Sequence, residues 1–489
     1  MGNANFFAVD LGATSGRTIL GTLEGDRLVQ RELTRFPNKI IEMAGHYYWD
    51  IYALFGEVVR GLKLVADEHI DIASVGIDTW GVDVVLIGKD GGVLRNPYCY
   101  RDPHTDGSME EYFKMMPKDK VYEKTGIQFM QFNTLFQLSA MRSHGDSALE
   151  AADKILFVPD ALMYLLTGEA VCEYTILSTS QFLNPITKRI DDELIGAIGL
   201  TEKMFGRYVN PCDEVGHLSA EVQRMTGLGA VPVVAVAGHD TGAAVASVPA
   251  RNENFAYLSC GTWSLLGIEV KEAIISKKGF EYNFTNEGGV EGTTRFLKNI
   301  CGMWIFERCR QEWADAPSGI PQLIDESMTA PAFQCFINPD APDFANPASM
   351  TGAIKDYCEK TGQVVPADYR SMTRCIFESL ALRYRQVMGY LKELAPFEIE
   401  TLHVIGGGSR NAKLMQFTAN SLGMPVLAGP VEGTAIGNIM LQAKASGCVR
   451  DMLEMRKVVA NSIEMSEYLP QDTEMWREAY EKYLAVTAL

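Results

Sequence analysis

The most constraining feature of this 489-residue sequence is a strand–turn–strand pattern that occurs twice. Phe6–Leu11 and Arg17–Leu23 are apolar runs, and the small polar residues Gly12–Gly16 between them predict a β-hairpin. Phe255–Ile268 repeats the arrangement around the small-residue turn Ser259–Thr262. Because the two hairpins share a pattern but little identity, they suggest two halves that are built alike.

Helical and strand patterns alternate after the first hairpin. Apolar residues at three- and four-residue steps over Leu54–Val65 predict a helix, and Ser74–Asp78 and Val84–Ile87 predict strands. Residues 103–228 are richer in helix and charge and lack a strong strand signal. The pattern is that of a mixed α/β protein. The polar stretch Val248–Asn254 predicts a boundary, which divides the chain into domains 1–248 and 249–489.

Charge and composition exclude several classes of partner. The formal net charge of −18 repels nucleic-acid phosphates and anionic lipid, so we expect neither nucleic acid nor membrane as a partner. The N-terminus lacks the pattern of a signal peptide, and the longest apolar stretch, near Val231–Ala237, is too short to span a bilayer. We therefore expect a cytoplasmic monomer or small homo-oligomer with reduced thiols. Cys358 and Cys375 could pair, although two buried thiols are the better interpretation.

The first hairpin turn is a candidate phosphate site. Its glycines and hydroxyl residues expose backbone N–H groups that can cradle phosphate oxygens, and Arg17 can add charge. Asp10, at the end of the preceding strand, can hold Mg²⁺ directly or through water. An ordinary β-turn with a capping aspartate explains the same residues equally well.

Two further small-residue segments could contact a nucleotide. The turn around Thr262 is favoured as a plain hairpin when taken alone, but as the counterpart of the first turn it could bind a polyphosphate together with that turn. Gly406–Gly408 follows a predicted strand and precedes a helix near Asn411, where a helix N-terminus favours phosphate. A flexible strand-to-helix loop is the alternative for Gly406–Gly408.

Several polar residues are candidates for binding and activating a hydroxylated substrate. Asp240 follows a buried strand and could accept the proton of a substrate hydroxyl during phosphoryl transfer. Asp240 or Thr241 could instead start a helix through Val245, a role that is compatible with catalysis. Asp78–Asp83 combines a tryptophan, a glycine and two carboxylates, which are residue types typical of a sugar-binding site. A buried tryptophan with aspartates in a turn is the somewhat favoured alternative. Asn299 is a polar residue in an apolar context, and a buried amide with satisfied hydrogen bonds is the alternative interpretation.

Together these motifs resemble the FGGY family of carbohydrate kinases over essentially the whole chain. The segments that carry the resemblance are Ala8–Ala13, Gly76–Asp83, Gly126–Phe129, His239–Thr241, Gly261–Ser264, Leu297–Ile300 and Ile405–Gly408. The first and last of them are shared with the wider actin-like ATPase superfamily. The resemblance implies two ribonuclease H-like α/β domains with a catalytic cleft between them.

The resemblance also implies roles for individual residues. ATP would bind mainly on the second domain and the sugar mainly on the first. Asp240 would be the proton acceptor. The sugar contacts would be Gly81, His239, Asp240, Thr241 and Asn299. The nucleotide contacts would be Ala13, Thr14, Ser15, Gly16, Arg17, Thr262, Glu307 and Gly407. Glu307 stands where relatives can carry a glutamine, and its charge would repel phosphate.

The implied reaction transfers the γ-phosphoryl group of ATP, with Mg²⁺, to the 1-hydroxyl of L-rhamnulose, a step of L-rhamnose degradation. Another ketose such as L-fuculose or xylulose is an alternative substrate, since motifs do not define the shape of a pocket. An actin-like or chaperone-type ATPase without a sugar substrate is an alternative of another class. The segments around Trp80 and Asp240 argue against that last alternative.

Overall fold

The fold is that of a computed structural model, which describes residues 4–487. The strands are β1 (Ala4–Leu11), β2 (Ser15–Glu24), β3 (Arg27–Pro37), β4 (Ile40–Met43), β5 (His46–Trp49), β6 (Ser74–Thr79), β7 (Val84–Gly88), β8 (Ala152–Phe157), β9 (Val171–Glu173), β10 (Leu183–Asn184), β11 (Arg189–Ile190), β12 (Arg207–Val209), β13 (Glu214–His217), β14 (Pro232–Val234), β15 (Phe255–Cys260), β16 (Trp263–Val270), β17 (Thr285–Gly288), β18 (Thr294–Cys301), β19 (Thr401–Ile405), β20 (Val426–Ala428) and β21 (Ser466–Tyr468).

Helices fill the longer connections between these strands. They are α1 (Ile51–Asp67), α2 (Ser108–Met115), α3 (Lys118–Thr125), α4 (Thr134–Ser143), α5 (Ser147–Ala151), α6 (Val158–Thr167), α7 (Tyr174–Leu177), α8 (Asp192–Gly196), α9 (Ala220–Thr226), α10 (Asp240–Ala246), α11 (Lys277–Glu281), α12 (Trp304–Glu312), α13 (Ile320–Ser327), α14 (Met350–Lys360), α15 (Tyr369–Leu394), α16 (Ala412–Leu422), α17 (Gly433–Ala445), α18 (Met452–Ser462) and α19 (Thr473–Thr487).

The chain forms two compact units, each of mixed α/β structure, as the sequence predicts. Unit 1 comprises Met1–Arg251, Glu269–Leu297 and Gly433–Ile463. Unit 2 comprises Asn252–Ile268, Lys298–Glu432 and Glu464–Leu489.

Unit 1 is built on a sheet with the strand order β13-β14-β6-β1-β2-β3. The predicted hairpin is present, since β1 and β2 pair antiparallel with Asp10 opposite Arg17. Strand β6 lies parallel to β1 on its other side, with Asp78 opposite Asp10. Strand β14 continues the parallel part of the sheet, with Val233 opposite Val75. The carboxyl ends of β1, β6 and β14 therefore meet at one edge.

Helices α1 and α17 both pack against this sheet through apolar residues, and α17 adds polar contacts. The apolar face of α1, which includes Leu54, Val58 and Leu62, packs into the buried core with Phe7 and Val9 of β1. Helix α17 carries buried amides, and Gln442 donates a hydrogen bond of 3.1 Å from Nε2 to the carbonyl oxygen of Phe7. A hydrophobic face and a polar anchor thus fix the central strands from two helices.

Unit 2 repeats the topology of unit 1. Five neighbouring strands of the seven-stranded sheet follow the order β16-β15-β19-β20-β21. The hairpin β15–β16 pairs Cys260 with Ser264, β19 lies parallel to β15, and β20 lies parallel to β19. The edge strand β21 is antiparallel to β20, as β13 is to β14 in unit 1. The repeat suggested by the two hairpins therefore extends to the sheets.

Residues 103–228 contain strands, although the sequence lacks a strong strand signal there. Strand β8 pairs antiparallel with β7, placing Phe157 opposite Val84. Strands β9 to β13 are two to four residues long. Such short segments do not span enough residues to display an alternating pattern, which explains the weak strand signal in this part of the sequence.

All ten cysteines of the chain are free thiols in the structure. Cys335, Cys358 and Cys375 are buried, and their Sγ atoms all lie within 4.8 Å of one another. Within residues 4–487, no helix combines the length and the apolar character that crossing a membrane requires.

Candidate active site

Three aspartates of unit 1 gather at the carboxyl edge of its parallel strands. Asp10 and Asp78 are register partners near the ends of β1 and β6. Thr79 forms a parallel bridge with His239, which places Asp240 at the beginning of α10 beside the same edge. Parallel strands present their carboxyl ends to one side, so the topology alone brings these side chains together.

Arg17 holds the side chain of Asp10. Its Nη2 and Nε atoms donate hydrogen bonds of 2.7 and 3.1 Å to Oδ2 of Asp10. Both side chains are largely buried, with exposed fractions of 17% for Arg17 and 9% for Asp10. The guanidinium therefore compensates part of the negative charge that collects at this edge.

Asp78 is the most buried of the three aspartates. It is fully buried, and its Oδ2 accepts a hydrogen bond of 2.6 Å from Nδ2 of Asn438. Its Oδ1 has no hydrogen-bond partner among the described residues. Burial raises the pKa of Asp78 well above its ordinary value, and the nearby carboxylates of Asp10 and Asp240 raise it further.

Asp240 is the accessible aspartate of the group, with 31% of its side chain exposed. Its Oδ1 accepts hydrogen bonds from the backbone N–H of Thr241 at 2.5 Å and from Oγ1 of Thr241 at 3.1 Å. The buried His239 lies beside it, with Nε2 at 3.4 Å from the same Oδ1. The consecutive residues His239, Asp240 and Thr241 therefore form one polar cluster at the start of α10.

The backbone leading to Asp240 is held by a buried acid. Glu173 is fully buried, and its Oε2 accepts a hydrogen bond of 3.0 Å from the N–H of Gly238. Oγ1 of Thr175 accepts one of 3.2 Å from the N–H of His239. Burial raises the pKa of Glu173, while hydrogen bonds donated by Thr175, Ile176 and Gly238 lower it. The strand-to-helix turn is therefore fixed before any substrate arrives.

The Gly81 segment is packed rather than open. A Cβ atom on Gly81 would lie 3.0 Å from Cγ2 of Thr179. Val82 follows at a φ of 69°, and its N–H donates to Oγ1 of Thr179 at 3.0 Å. A β-branched residue rarely adopts this left-handed conformation, so the surrounding contacts must impose it.

Trp80 does not offer an open platform for a sugar ring, which favours the buried alternative of the sequence analysis. Only 5% of Trp80 is exposed, and its Nε1 donates a hydrogen bond of 2.9 Å to Oδ2 of Asp83. The same oxygen accepts a hydrogen bond of 2.6 Å from Nε1 of Trp49. Asp83 is therefore a buried acceptor that holds two indole rings.

The turn between β1 and β2 is accessible at its tip. Thr14 and Ser15 are exposed, Ala13 is half-buried and Gly16 is buried. The N–H of Gly12 donates to the carbonyl oxygen of Ser15 at 2.9 Å, which closes the turn. A hydrogen-bonded turn with an exposed tip matches both the phosphate interpretation and the ordinary hairpin.

The nucleotide candidates of unit 2 lie near the end of β15. The carbonyl oxygen of Thr262 accepts hydrogen bonds of 3.2 Å from the N–H groups of Gly302 and Trp304. Gly406 has a φ of 86°, and a Cβ atom there would lie 3.0 Å from the carbonyl oxygen of Cys260. Around Gly407 itself there is open space. The fold therefore brings the Thr262 turn and the glycine segment to one place.

Glu307 and Asn299 differ in their surroundings. Glu307 lies on α12, and its Oε2 accepts hydrogen bonds from Nε and Nη2 of Arg310 at 3.0 and 2.8 Å. This ion pair compensates the negative charge of Glu307, which would be unfavourable next to a phosphate if Glu307 had no partner. Asn299 lies on β18 and is half-buried.

Comparison with known proteins assigns both parts of the chain to one family. Residues 6–246 match the N-terminal domain, and residues 256–446 the C-terminal domain, of the FGGY family of carbohydrate kinases. The chain belongs to the FGGY family of carbohydrate kinases. The resemblance in its motifs and the two-unit α/β fold are thereby confirmed.

Individual relatives of this FGGY kinase are similar over nearly its whole length. It is 59% identical to a rhamnulokinase of Bacteroides thetaiotaomicron, covering 97% of this chain and 98% of the relative. It is 40% identical to a rhamnulokinase of Bacillus subtilis, covering 96% of each. A solved xylulose kinase of Lactobacillus acidophilus has the same fold, with a TM-score of 0.82 at 17% identity over 99% of this chain and 97% of that one.

Sequence reasoning missed three buried residues of this FGGY kinase. Asn438 binds Asp78, while Arg295 and Glu287 surround the imidazole of His239. They lie on α17 and on the hairpin β17–β18, far along the chain from the aspartates. The available signal was a charged residue, Arg295, directly before the apolar residues Phe296 and Leu297, and it does not identify a partner.

Proposed function

We propose that this protein transfers the γ-phosphoryl group of ATP to the 1-hydroxyl of L-rhamnulose, giving L-rhamnulose 1-phosphate and ADP. The substrate is supported by the rhamnulokinase relatives, which include one that is 59% identical over 97% of the chain. The reaction class is supported by the FGGY family match over both parts of the chain. ATP as the donor agrees with the family and with the fold of a Plasmodium falciparum glycerol kinase solved with ADP, at a TM-score of 0.79.

The observation that carries the mechanism is the exposure of Asp240 beside two buried carboxylates. With 31% of its side chain exposed, Asp240 can reach a substrate, whereas Asp78 is fully buried. We assign Asp240 as the proton acceptor, with Gly81, His239, Thr241 and Asn299 as further sugar contacts. Asp240 orients the hydroxyl and takes its proton late, because phosphoryl transfer depends mainly on positioning and charge stabilisation.

The nucleotide is assigned to the two glycine-bearing turns and their neighbours. We propose contacts from Ala13, Thr14, Ser15, Gly16, Arg17, Thr262, Glu307 and Gly407. Residues 1–248 would form the sugar-binding domain and residues 249–489 the nucleotide-binding domain. Exposed backbone N–H groups in such turns bind phosphate oxygens.

The aspartate cluster fits a magnesium ion. Asp10 and Asp78 supply hard oxygen donors, and Oδ1 of Asp78 is buried without a hydrogen-bond partner among the described residues. Mg²⁺ prefers one or two carboxylates together with phosphate oxygens, and Asp10 would hold it directly or through water. When bound, Mg²⁺ neutralises charge on the phosphates.

The decisive test is ADP release from Mg-ATP in a coupled assay against L-rhamnulose, L-fuculose, xylulose and a no-sugar control. We expect the highest kcat/KM for L-rhamnulose. A higher value for another ketose would replace the substrate, and ADP release that does not depend on sugar would support the filament or chaperone alternative. The cytoplasmic location and the monomer or small homo-oligomer stay predictions.

A further inference from the structure

The buried histidine next to the proposed base is surrounded by three charged residues of unit 1. Nδ1 of His239 lies 3.1 Å from Nη2 of Arg295 and 3.3 Å from Oε2 of Glu287. Its Nε2 lies 3.4 Å from Oδ1 of Asp240. Arg295 is 1% exposed, and its Nη1 lies 3.2 Å from Oε2 of Glu287. These contacts determine which of the two ring nitrogens of His239 carries the proton.

The guanidinium of Arg295 determines the position of this proton, because it can only donate hydrogen bonds. The contact from Nη2 of Arg295 satisfies hydrogen-bond geometry, so it requires a lone pair on Nδ1 of His239. Nε of Arg295 donates to the carbonyl oxygen of Gly288 at 2.9 Å, which fixes the plane of the guanidinium. Glu287 compensates the buried positive charge. The neutral imidazole then carries its proton on Nε2.

We infer that Arg295 is a positioning residue, which locks His239 in the Nε2–H tautomer and thereby directs the carboxylate of Asp240. Nε2 of His239 lies 3.4 Å from Oδ1 of Asp240, close to it but without hydrogen-bond geometry in this structure, and that oxygen already accepts two hydrogen bonds from Thr241. Catalytic hydrogen bonds are often long or poorly aligned in the absence of substrate, so we expect this contact to shorten when the substrate binds. With Oδ1 occupied by donors, Oδ2 is the oxygen left to take the proton of the substrate hydroxyl.

The role of Asp240 as proton acceptor rests on the proposed function, whereas the tautomer of His239 does not. The tautomer itself is tested without substrate, in the full-length protein labelled with ¹⁵N-histidine. Comparison with the spectrum of His239→Gln identifies the resonances of His239 among the seven histidines of the chain. We expect two well-separated ¹⁵N resonances with the proton on Nε2. Two similar resonances, typical of imidazolium, or a proton on Nδ1 would overturn the inference whatever the substrate is.

Kinetics then separate positioning from general stability. We expect Arg295→Met to lower kcat by at least about 10-fold, since it releases an oriented base, and to leave KM for ATP unchanged. Arg295→Lys, which keeps a donor, should recover part of kcat. Arg456→Met is the matched control, because it removes a largely buried arginine that pairs with Glu269 in the same unit. An equal loss of kcat in Arg456→Met and Arg295→Met would show that Arg295 contributes only to stability, and it would overturn the positioning role.

A second variant covers the case in which Arg295→Met does not fold. Glu287→Gln keeps the shape of the side chain and removes an acidic group that faces Nδ1 and could accept its proton. We expect the Nε2–H resonance pattern to persist in it. A shift to the Nδ1–H tautomer in Glu287→Gln would show that Arg295 does not select the proton position.

Discussion

Asn438 and Asp78 are joined by a buried hydrogen bond of 2.6 Å, although 360 positions separate them in the chain. The same amide lies 3.2 Å from the carbonyl oxygen of Gly76 and 3.4 Å from that of Val9. One side chain of α17 therefore links β1 and β6 and supports the most buried carboxylate of the proposed active site.

Asn438→Ala should lower the free energy of unfolding by about 2–3 kcal/mol, because it leaves a buried carboxylate without its donor. Urea unfolding followed by circular dichroism measures this. The control is Asn461→Ala, whose exposed amide pairs with Asp26, and its cost should stay below about 0.5 kcal/mol. Equal effects of the two substitutions would contradict the anchoring role of Asn438.

Asp240→Asn should fold normally and bind ATP but lose about 10²–10⁴-fold in kcat, since it removes the proton acceptor while keeping the shape of the side chain. Coupled ADP release with the best ketose measures the loss. Asp106→Asn changes an exposed aspartate and should retain the rate of the unaltered protein. Near-normal turnover in Asp240→Asn would refute the assignment of the base.

Gly437→Ala should destabilise unit 1 by about 1–3 kcal/mol, because the added methyl group would collide with the carbonyl oxygen of Ala243 where α17 packs on α10. Since α10 carries Asp240, kcat should fall as well. Gly389→Ala is the matched control, with open space around its Cβ position in α15, and should gain about 0.5–1 kcal/mol. Thermal unfolding distinguishes the two, and a stabilised Gly437→Ala would disprove the close packing.

Titration of the Asp83 carboxyl group should lower the free energy of unfolding as the pH rises from about 4 to about 6. Burial raises the pKa of Asp83 to about 6, against hydrogen bonds from Gln137, Trp49, Trp80 and Tyr100 that lower it. Because the folded state holds this proton more tightly than the unfolded state, stability declines by up to about 3 kcal/mol across that window and is then constant with respect to this group.

Urea unfolding of the unaltered protein and of Asp83→Asn at several pH values isolates this contribution. Asparagine does not titrate, so the difference in stability between the two proteins should change between pH 4 and 6 (roughly the two pKa values of Asp83) and stay level above it. A difference that is the same at every pH would mean that Asp83 titrates alike in both states.

Arg310→Met should raise KM for ATP by up to about fivefold, because it leaves the charge of Glu307 uncompensated near the proposed nucleotide. Glu307→Gln should leave KM for ATP unchanged or slightly lower, since the repulsion is then removed. Initial rates at varied ATP and saturating ketose provide the measurement. A KM for ATP that neither substitution alters would place Glu307 outside the nucleotide site.

The local elements could be read from the sequence because their patterns are short-range. The hairpin around Gly12–Gly16, the strand that ends near Asp78 and the helix that begins at Asp240 follow from runs of apolar residues and from turn residues. The short strands between residues 103 and 228 were missed because they span too few residues to show a period.

The candidate site was predicted in part for the same reason. Asp10 lies near the end of β1 and Asp240 at the start of α10, the positions at which a sequence pattern places a side chain at the edge of a sheet. Trp80 illustrates the limit of such reasoning, since its sequence context allowed an open sugar platform and its packing against Trp49 buries it.

By itself the sequence determined that this chain alternates helix and strand, starts each half with a hairpin and carries acids where strands end. Only the tertiary structure decided that Asn438 supports Asp78 and that Arg295 faces His239. The physical reason is that the periodicity of a sequence shows which face of a helix or strand is buried. A polar contact also depends on which distant part of the chain packs against that face, and periodicity does not show this.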